Sequence, residues 1–364
     1  MPKATIVLTA AALVCAGCTV GPDFHTPAPP TQQHYLAGKA LNKTGNAPGA
    51  ETGATQKFVR GAVLQRDWYQ LYHNAALDKL IHQALADNPT RAAAEQRLKA
   101  AREAVNIVYG GRYPSLGINA SATRERASGV ILGVQDPNFA NTFNLYTAQI
   151  STSYNLDIFG ELTRRIENKQ ALAAMARDKL LDSEATLVNN IVATALAEAG
   201  ARTTRDALGD IIDQQRKTLK LVKAQKRYGT ALKSDVLRAQ TQLAETQALI
   251  PDYDQQIAVA RHRLAILSGR MPADYNGPQF TLNDFSLPTT LPLSLPSRLV
   301  GQRPDVLAAR SMLHAASANV GVATAEMLPR IQLTASYGRD ALKLNAFNGP
   351  LAELFTIGAG LTAP

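Results

Sequence analysis

With 364 residues, 46% hydrophobic and only 6% aromatic, the chain is long enough for two ordinary domains, and its bias toward Ala, Gln and Leu favours long packed helices over a conventional mixed fold. The formal net charge of +9 raises nucleic acid as a partner, but Lys and Arg are scattered along helical stretches among Asp and Glu. No basic run interleaved with aromatics offers a single-strand platform, so the charges are read as solvated helix faces and no nucleic-acid partner is expected.

Residues 1–17 read as an export signal, with Lys3 as a short positive region and Ile6 through Val14 as an apolar run too short to span a bilayer. In Cys15-Ala16-Gly17-Cys18 two small residues precede Cys18, as in a lipobox, although Cys15 stands where Leu is usual. Cys18 is therefore expected to become the acylated N-terminus, with Cys15 lost with the signal and no disulfide formed. An ordinary secretory signal with two incidental cysteines is the alternative. Thr19 stands where an Asp would retain a lipoprotein in the inner membrane, which favours the outer membrane. Residues 18–61, with Pro22, Pro27, Pro29, Pro30 and Pro48 among Gly, Ala and Thr, read as an extended tether.

Trp68, Tyr69 and Tyr72 suit packing of a small subdomain against helices better than a ligand platform. A helix is expected over about 77–110. After Pro114, Leu116, Ile118, Ala120 and Ala122 alternate with polar residues, and Tyr146, Ala148, Ile150, Tyr154 and Leu156 alternate on the return. Glu161 to about Tyr228 reads as one helix of about 100 Å at ~1.5 Å per residue. A second runs from Ser234 to Ser268, where Val236, Leu243, Ile250, Ile257 and Leu264 recur every seven residues as a coiled-coil seam that Pro251 should kink or interrupt. The helices over 77–110 and 234–268 together match the long one in length, as if stacked along one wall.

Sliding the sequence so that Pro89 falls on Pro304 also places Leu98 on Leu313, Val105 on Val320, Pro114 on Pro329 and Ser121 on Ser336, which indicates an internal duplication. The second copy again alternates: Ile331, Leu333, Ala335 and Tyr337, then Phe355, Ile357, Ala359 and Leu361. Four such strands of roughly ten residues suit a transmembrane barrel. Periodicity alone fits a half-buried soluble sheet equally well. The repeat projects an end near residue ~476.

These stretches together resemble the TolC/OprM family of outer-membrane efflux channels, in particular its NodT-like lipoproteins. The resemblance is carried by Gly17-Cys18-Thr19-Val20-Gly21-Pro22-Asp23-Phe24, Leu77-Asp78-Lys79-Leu80-Ile81 through Asn88-Pro89, Asp235-Val236-Leu237-Arg238-Ala239-Gln240, Leu264-Ala265-Ile266-Leu267-Ser268-Gly269, and Gln302-Arg303-Pro304-Asp305-Val306. It implies a mainly α protein with β: long coiled-coil hairpins, and four transmembrane strands per chain in a homotrimeric twelve-stranded barrel. The trimer would sit in the outer membrane, held also by its lipid anchor, and conduct drugs or other small molecules passively. It would dock through hairpin tips on a periplasmic adaptor protein fed by an inner-membrane pump. The family commonly places an aspartate six positions after the tip glycine, and Gly229 to Asp235 keeps that spacing. The adaptor-contact tip is then Tyr228, Gly229, Thr230, Ala231, Leu232, Lys233, Ser234 and Asp235, with Tyr228 and Ser234 departing from the usual neighbours.

The expected organisation is signal 1–17, anchor and tether 18–61, first efflux repeat 62–269, an equatorial linker 270–303 and an incomplete second repeat 304–364. A chain that stops there is expected to lack part of the tunnel wall and not to form a sealed conduit. No enzyme, cofactor or metal chemistry is expected: His25, His34, His73, His82, His262 and His314 form no ligand spacing, and no phosphate loop or nucleophile elbow is present. A protein-secretion duct of the same fold, or a truncated remnant without transport, are the rival readings.

Overall fold

Where apolar residues recur every seventh position, they mark the seam of the helical hairpin. The computed structural model describes residues 19–31, 42–46, 54–61, 67–127, 141–293 and 296–364. In chain order these form strand β1 (Lys57–Arg60), helices α1 (Ala75–Asp87) and α2 (Pro89–Tyr109), strands β2 (Ser115–Ala127) and β3 (Asn141–Leu156), and the 67-residue helix α3 (Glu161–Arg227). Helices α4 (Lys233–Ala248) and α5 (Ile250–Leu267) follow, then β4 (Thr290–Leu293), α6 (Pro296–Gln302), α7 (Pro304–Glu326), β5 (Arg330–Ala341) and β6 (Glu353–Thr362). The fold divides into two compact units, one of Met1–Thr26, Lys99–Met175 and Ala309–Pro364, the other of Pro27–Leu98 and Ala176–Ala308.

In the second unit the C-terminal part of α3 runs antiparallel to α4 and α5. Gln215 donates to Thr246 (2.9 Å), Arg205 pairs with Asp254 (3.1 Å) and Arg261 lies 3.5 Å from Glu198, a register in which rising numbers on one helix meet falling numbers on the other. Of the heptad, Val236 and Leu264 are buried and Leu243, Ile250 and Ile257 half-buried, with the neighbouring Ala260 buried and Leu267 half-buried. The helix over 234–268 is divided at Leu249, the interruption expected from Pro251, which has no N–H to donate back into the preceding turn. The expected helix over 77–110 likewise divides. Pro89 forces Asn88 into extended backbone (φ −70°, ψ 122°), and the Asn88 carboxamide then caps α2 by accepting from Thr90 and Arg91 N–H at 2.9 and 3.1 Å.

The core of this unit gathers Leu77, Ile81 and Ala84 of α1, Ile191, Ala195 and Ala199 of α3, Leu264 of α5, and Tyr69, Phe280 and Phe285 from the connecting segments. Tyr69 is buried, with Trp68 and Tyr72 against the same cluster, as packing rather than ligand binding requires. β1 pairs in parallel with β4, Lys57 opposite Thr290, a strand absent from the expected tether because four residues give almost no periodic signal.

The first unit is built on one antiparallel sheet in the order β2-β3-β5-β6. Its register puts Ile118 opposite Ile150, Ile150 opposite Tyr337 and Tyr337 opposite Phe355, so one row of large apolar side chains crosses all four strands. The next row offset by one residue is Asn119, Gln149, Gly338 and Leu354. Period two has become two chemically distinct faces.

Candidate functional site

The apolar face of the sheet is exposed: Ile118 and Ile357 are each 80% accessible and Phe355 73%. The strands run 13, 16, 12 and 10 residues, each within or above the ~9–11 that cross a bilayer at a tilt. β2 and β6 are the outer strands, each with one edge unpaired among the described residues. No helix among the described residues is long and apolar enough to cross a membrane.

Where strands meet helices, Asp157 accepts from Leu162 and Thr163 N–H, both at 2.9 Å, and so caps α3. One turn in, Glu161 and Arg165 of α3 meet Glu326 and Arg330 from the α7–β5 junction in a closed ring of alternating charge. Arg165 reaches Glu161 at 2.7 Å and Glu326 at 2.8 Å, and Arg330 reaches Glu161 at 3.0 Å and Glu326 at 3.8 Å. A cavity of about 410 Å³ opens beside it, lined among others by Ile107, Phe159 and Leu162.

Cys18 lies outside the described residues. Residues 19–24 are extended and bound to the body of the same unit, at points the sequence did not single out. Arg164, its side chain 5% exposed, donates to the carbonyls of Val20 (3.1 Å) and Gly21 (3.3 Å) and to the Asp23 carboxylate (2.7 Å), with Glu167 at 2.8 Å on its far side. Val20 N–H donates to the Phe159 carbonyl (3.1 Å). Phe24 stacks on His314 with ring centroids 4.3 Å apart, and His314 Nε2 lies 2.8 Å from Glu167. Burial pushes the Glu167 carboxyl up, but hydrogen bonds and charge from Arg164 and His314 outweigh it and hold it below the usual value, while the bonds to Glu167 and Asp23 push the Arg164 guanidinium up. Gly21 has φ +92° and lies against the Gly321 backbone, where a Cβ would collide. A Gly three residues and an Asp five residues beyond a lipobox cysteine were the available signal; their partners are contributed from elements more than a hundred residues away.

The hairpin apex in the other unit follows from its glycine. Gly229 takes φ +79°, its N–H donates to the Lys226 carbonyl (3.1 Å) and Thr230 N–H to the Gln225 carbonyl (2.9 Å), the paired closure of a Schellman motif. Leu232 N–H donates to the Asp235 carboxylate (3.0 Å), which fixes the start of α4. The eight expected tip residues thus form one connected turn. Tyr228 (80% accessible) and Leu232 (71%) project as its apolar points, Thr230, Lys233 and Ser234 are exposed, and Ala231 and Asp235 are half-buried.

A buried polar cluster also lies in this unit. Glu198 is fully buried, accepts from Arg202 (2.8 Å) and has Arg261 at 3.5 Å. The Arg261 guanidinium lies 5.6 Å from the Tyr275 ring centre, and burial together with the Glu198 charge pushes the Tyr275 hydroxyl up to about 12. Among the described residues no group of three His, Cys, Asp or Glu is placed to hold a metal.

A sheet with an uncovered apolar face in one unit and a long helical hairpin in the other are the features of a membrane-channel type of protein. The family model of the outer membrane efflux proteins matches residues 80–270 and 295–364, and the chain belongs to that family. It is similar to the probable efflux pump outer membrane protein TtgC of Pseudomonas putida KT2440, 27% identical over 369 residues, covering 99% of this chain and 70% of the relative. It is equally similar to the antibiotic efflux pump outer membrane protein ArpC of Pseudomonas putida, 27% identical, covering 99% and 70%. Among solved structures, the outer-membrane channel OprN superposes with a TM-score of 0.79 at 26% identity, covering 95% of this chain and 73% of that one.

Proposed function

We propose that this protein is the outer-membrane channel of a tripartite efflux system, a passive conduit for drugs, solvents or other small molecules and not a catalyst. The efflux names of TtgC and ArpC and the family membership support it. The observation that carries it is the four-stranded sheet with an uncovered apolar face, a polar opposite face and two open edges. Lipid offers no partner to a free strand edge, so such a sheet must close, and three copies of four strands make a twelve-stranded barrel.

In this reading the trimer's apolar rows face lipid and the rows of Asn119 and Gln149 face the lumen. Helices α2 and α7, each opening on a Pro and each leading to a strand, are the two copies of one repeat, with the repeats at 62–269 and 304–364 and an equatorial segment at 270–303. Cys18 carries lipid after removal of residues 1–17. Residues Tyr228 through Asp235 contact a periplasmic adaptor that couples the channel to an inner-membrane pump.

Single cysteines test the sheet. Introduced at Ile118 and Ile357 they should be shielded from a water-soluble maleimide and quenched by a lipid-borne quencher in outer membranes, whereas Asn119→Cys and Thr356→Cys should label from water. Equal aqueous labelling of both faces would reject the barrel. Mass spectrometry of the mature N-terminus should find diacylglyceryl cysteine at Cys18, and an unmodified N-terminus elsewhere would reject the anchor.

A further inference from the structure

The reading of charge as locally balanced helix surface fails at one place. Between Arg216 and Arg238 the sequence holds eight Lys or Arg and a single carboxylate, Asp235. Arg216 pairs with Asp213 (2.9 Å) and Arg238 lies 3.5 Å from Asp235. The other six, Lys217, Lys220, Lys223, Lys226, Arg227 and Lys233, are exposed and have no carboxylate partner among the described residues. Deeper in the same hairpin the arginines are paired, Arg205 with Asp254 and both Arg202 and Arg261 with Glu198.

Isolated helix physics does not favour this arrangement. Like charges at i,i+3 destabilise a helix rather than support it. The helix dipole welcomes cations in the last turn, which accounts for Lys226 and Arg227 but not for Lys217 and Lys220, two to three turns further back. The lysine column from 217 to 226 extends about 14 Å at ~1.5 Å per residue, beyond the Debye length of about 8 Å at physiological salt. A flat anionic surface touched end-on by the apex therefore leaves the far lysines uncompensated, whereas a protein surface reaching along the hairpin compensates all of them. Tyr228 and Leu232 at the apex add the exposed apolar anchors on which protein interfaces centre.

Resting on the adaptor-docking reading above, we infer that the partner presents an acidic face, which extends from the apex at Gly229 along α3 at least as far as Lys217. Electrostatic complementarity of this kind sets association rate and partner choice and weakens with salt.

The test uses the membrane-embedded protein in its own cells, with photoreactive residues placed singly at Thr230 and at Leu221, so that no lysine is lost. Both should capture the same protein, and the peptide captured at Leu221 should carry a clear excess of Asp and Glu. The triple variant Lys217→Glu, Lys220→Glu, Lys223→Glu should lower capture at Leu221 about tenfold or more. The corresponding Lys→Arg triple should retain it within about twofold, and a Lys→Gln triple, free of new charges, should fall between. Trimer level in the envelope serves as the folding control for all three. Capture indifferent to charge reversal, a captured surface without excess carboxylates, or capture of phospholipid or of a second copy of this chain at Leu221 would each overturn the inference. If Thr230 captures no protein, the docking reading falls and takes this inference with it. Capture at Thr230 with charge-independent capture at Leu221 removes the acidic face alone.

Discussion

The helical core and the four-stranded sheet contain the same kinds of apolar side chain and treat them in opposite ways. Leu77, Ile81, Ile191 and Leu264 are fully buried among one another, whereas Ile118, Phe355 and Ile357 stand on an uncovered face. In the first case the partner is the chain itself, and water is the solvent excluded. In the second the chain supplies only half of an interface, which in the proposed channel a bilayer completes. A hydrophobic residue thus reports burial only when its environment is known.

Substitutions break or sharpen this contrast. Leu264→Ala should destabilise the helical unit by about 2–5 kcal/mol, whereas Ile118→Ala should cost far less in detergent, because no protein cavity is opened; denaturant unfolding followed by helix signal measures both. Ile357→Arg should cost about 2–4 kcal/mol near mid-bilayer and reduce membrane insertion, while Thr356→Arg on the opposite face should insert normally. If the two arginines behave alike, the faces are not lipid and lumen.

Smaller effects concern the turn and the strap. Gly229→Ala must hold φ +79° with a Cβ, which should cost about 1 kcal/mol while leaving space around it unchallenged, and thermal melting of the hairpin reads it. The Glu167 carboxyl is held below its ordinary value in the fold, so its contribution is present above the unfolded value near 4.5 and lost as pH falls through the depressed one. Exchange protection of Val20 N–H should therefore be flat between about pH 5 and 7 and decline below about pH 4.

How far these features were legible follows from how local their causes are. The seam from Val236 to Leu264, the interruption at Pro251 and the reversal at Gly229 are written in residues that act within a turn or two, and they stand as read. The alternation of the four strands was equally plain, but whether their apolar face met lipid or protein was not a property of period two. The division at Asn88 was missed although Pro89 announced it, because the apolar pattern on either side favoured one helix. The pairing of β1 with β4 and the Arg164 hold on residues 20–23 were invisible, since each joins segments separated by more than a hundred positions. The lysine column was counted into a chain-wide average, and only the absence of carboxylate partners around it among the described residues made it distinct.

The open edges of β2 and β6 have a consequence for the life of the chain before it reaches its membrane. Among the described residues each edge offers a row of unpaired backbone donors and acceptors beside exposed apolar side chains, Leu116 and Ile118 on β2 and Phe355, Ile357 and Leu361 on β6, the combination that templates aggregation when nothing covers it. Soluble proteins blunt such edges with bulges, prolines or inward charges, whereas in the proposed trimer an edge that pairs with a neighbouring subunit must stay open. Refolding from denaturant without detergent should therefore end in precipitate. The feature that would let the proposed barrel close is, until closure, a hazard.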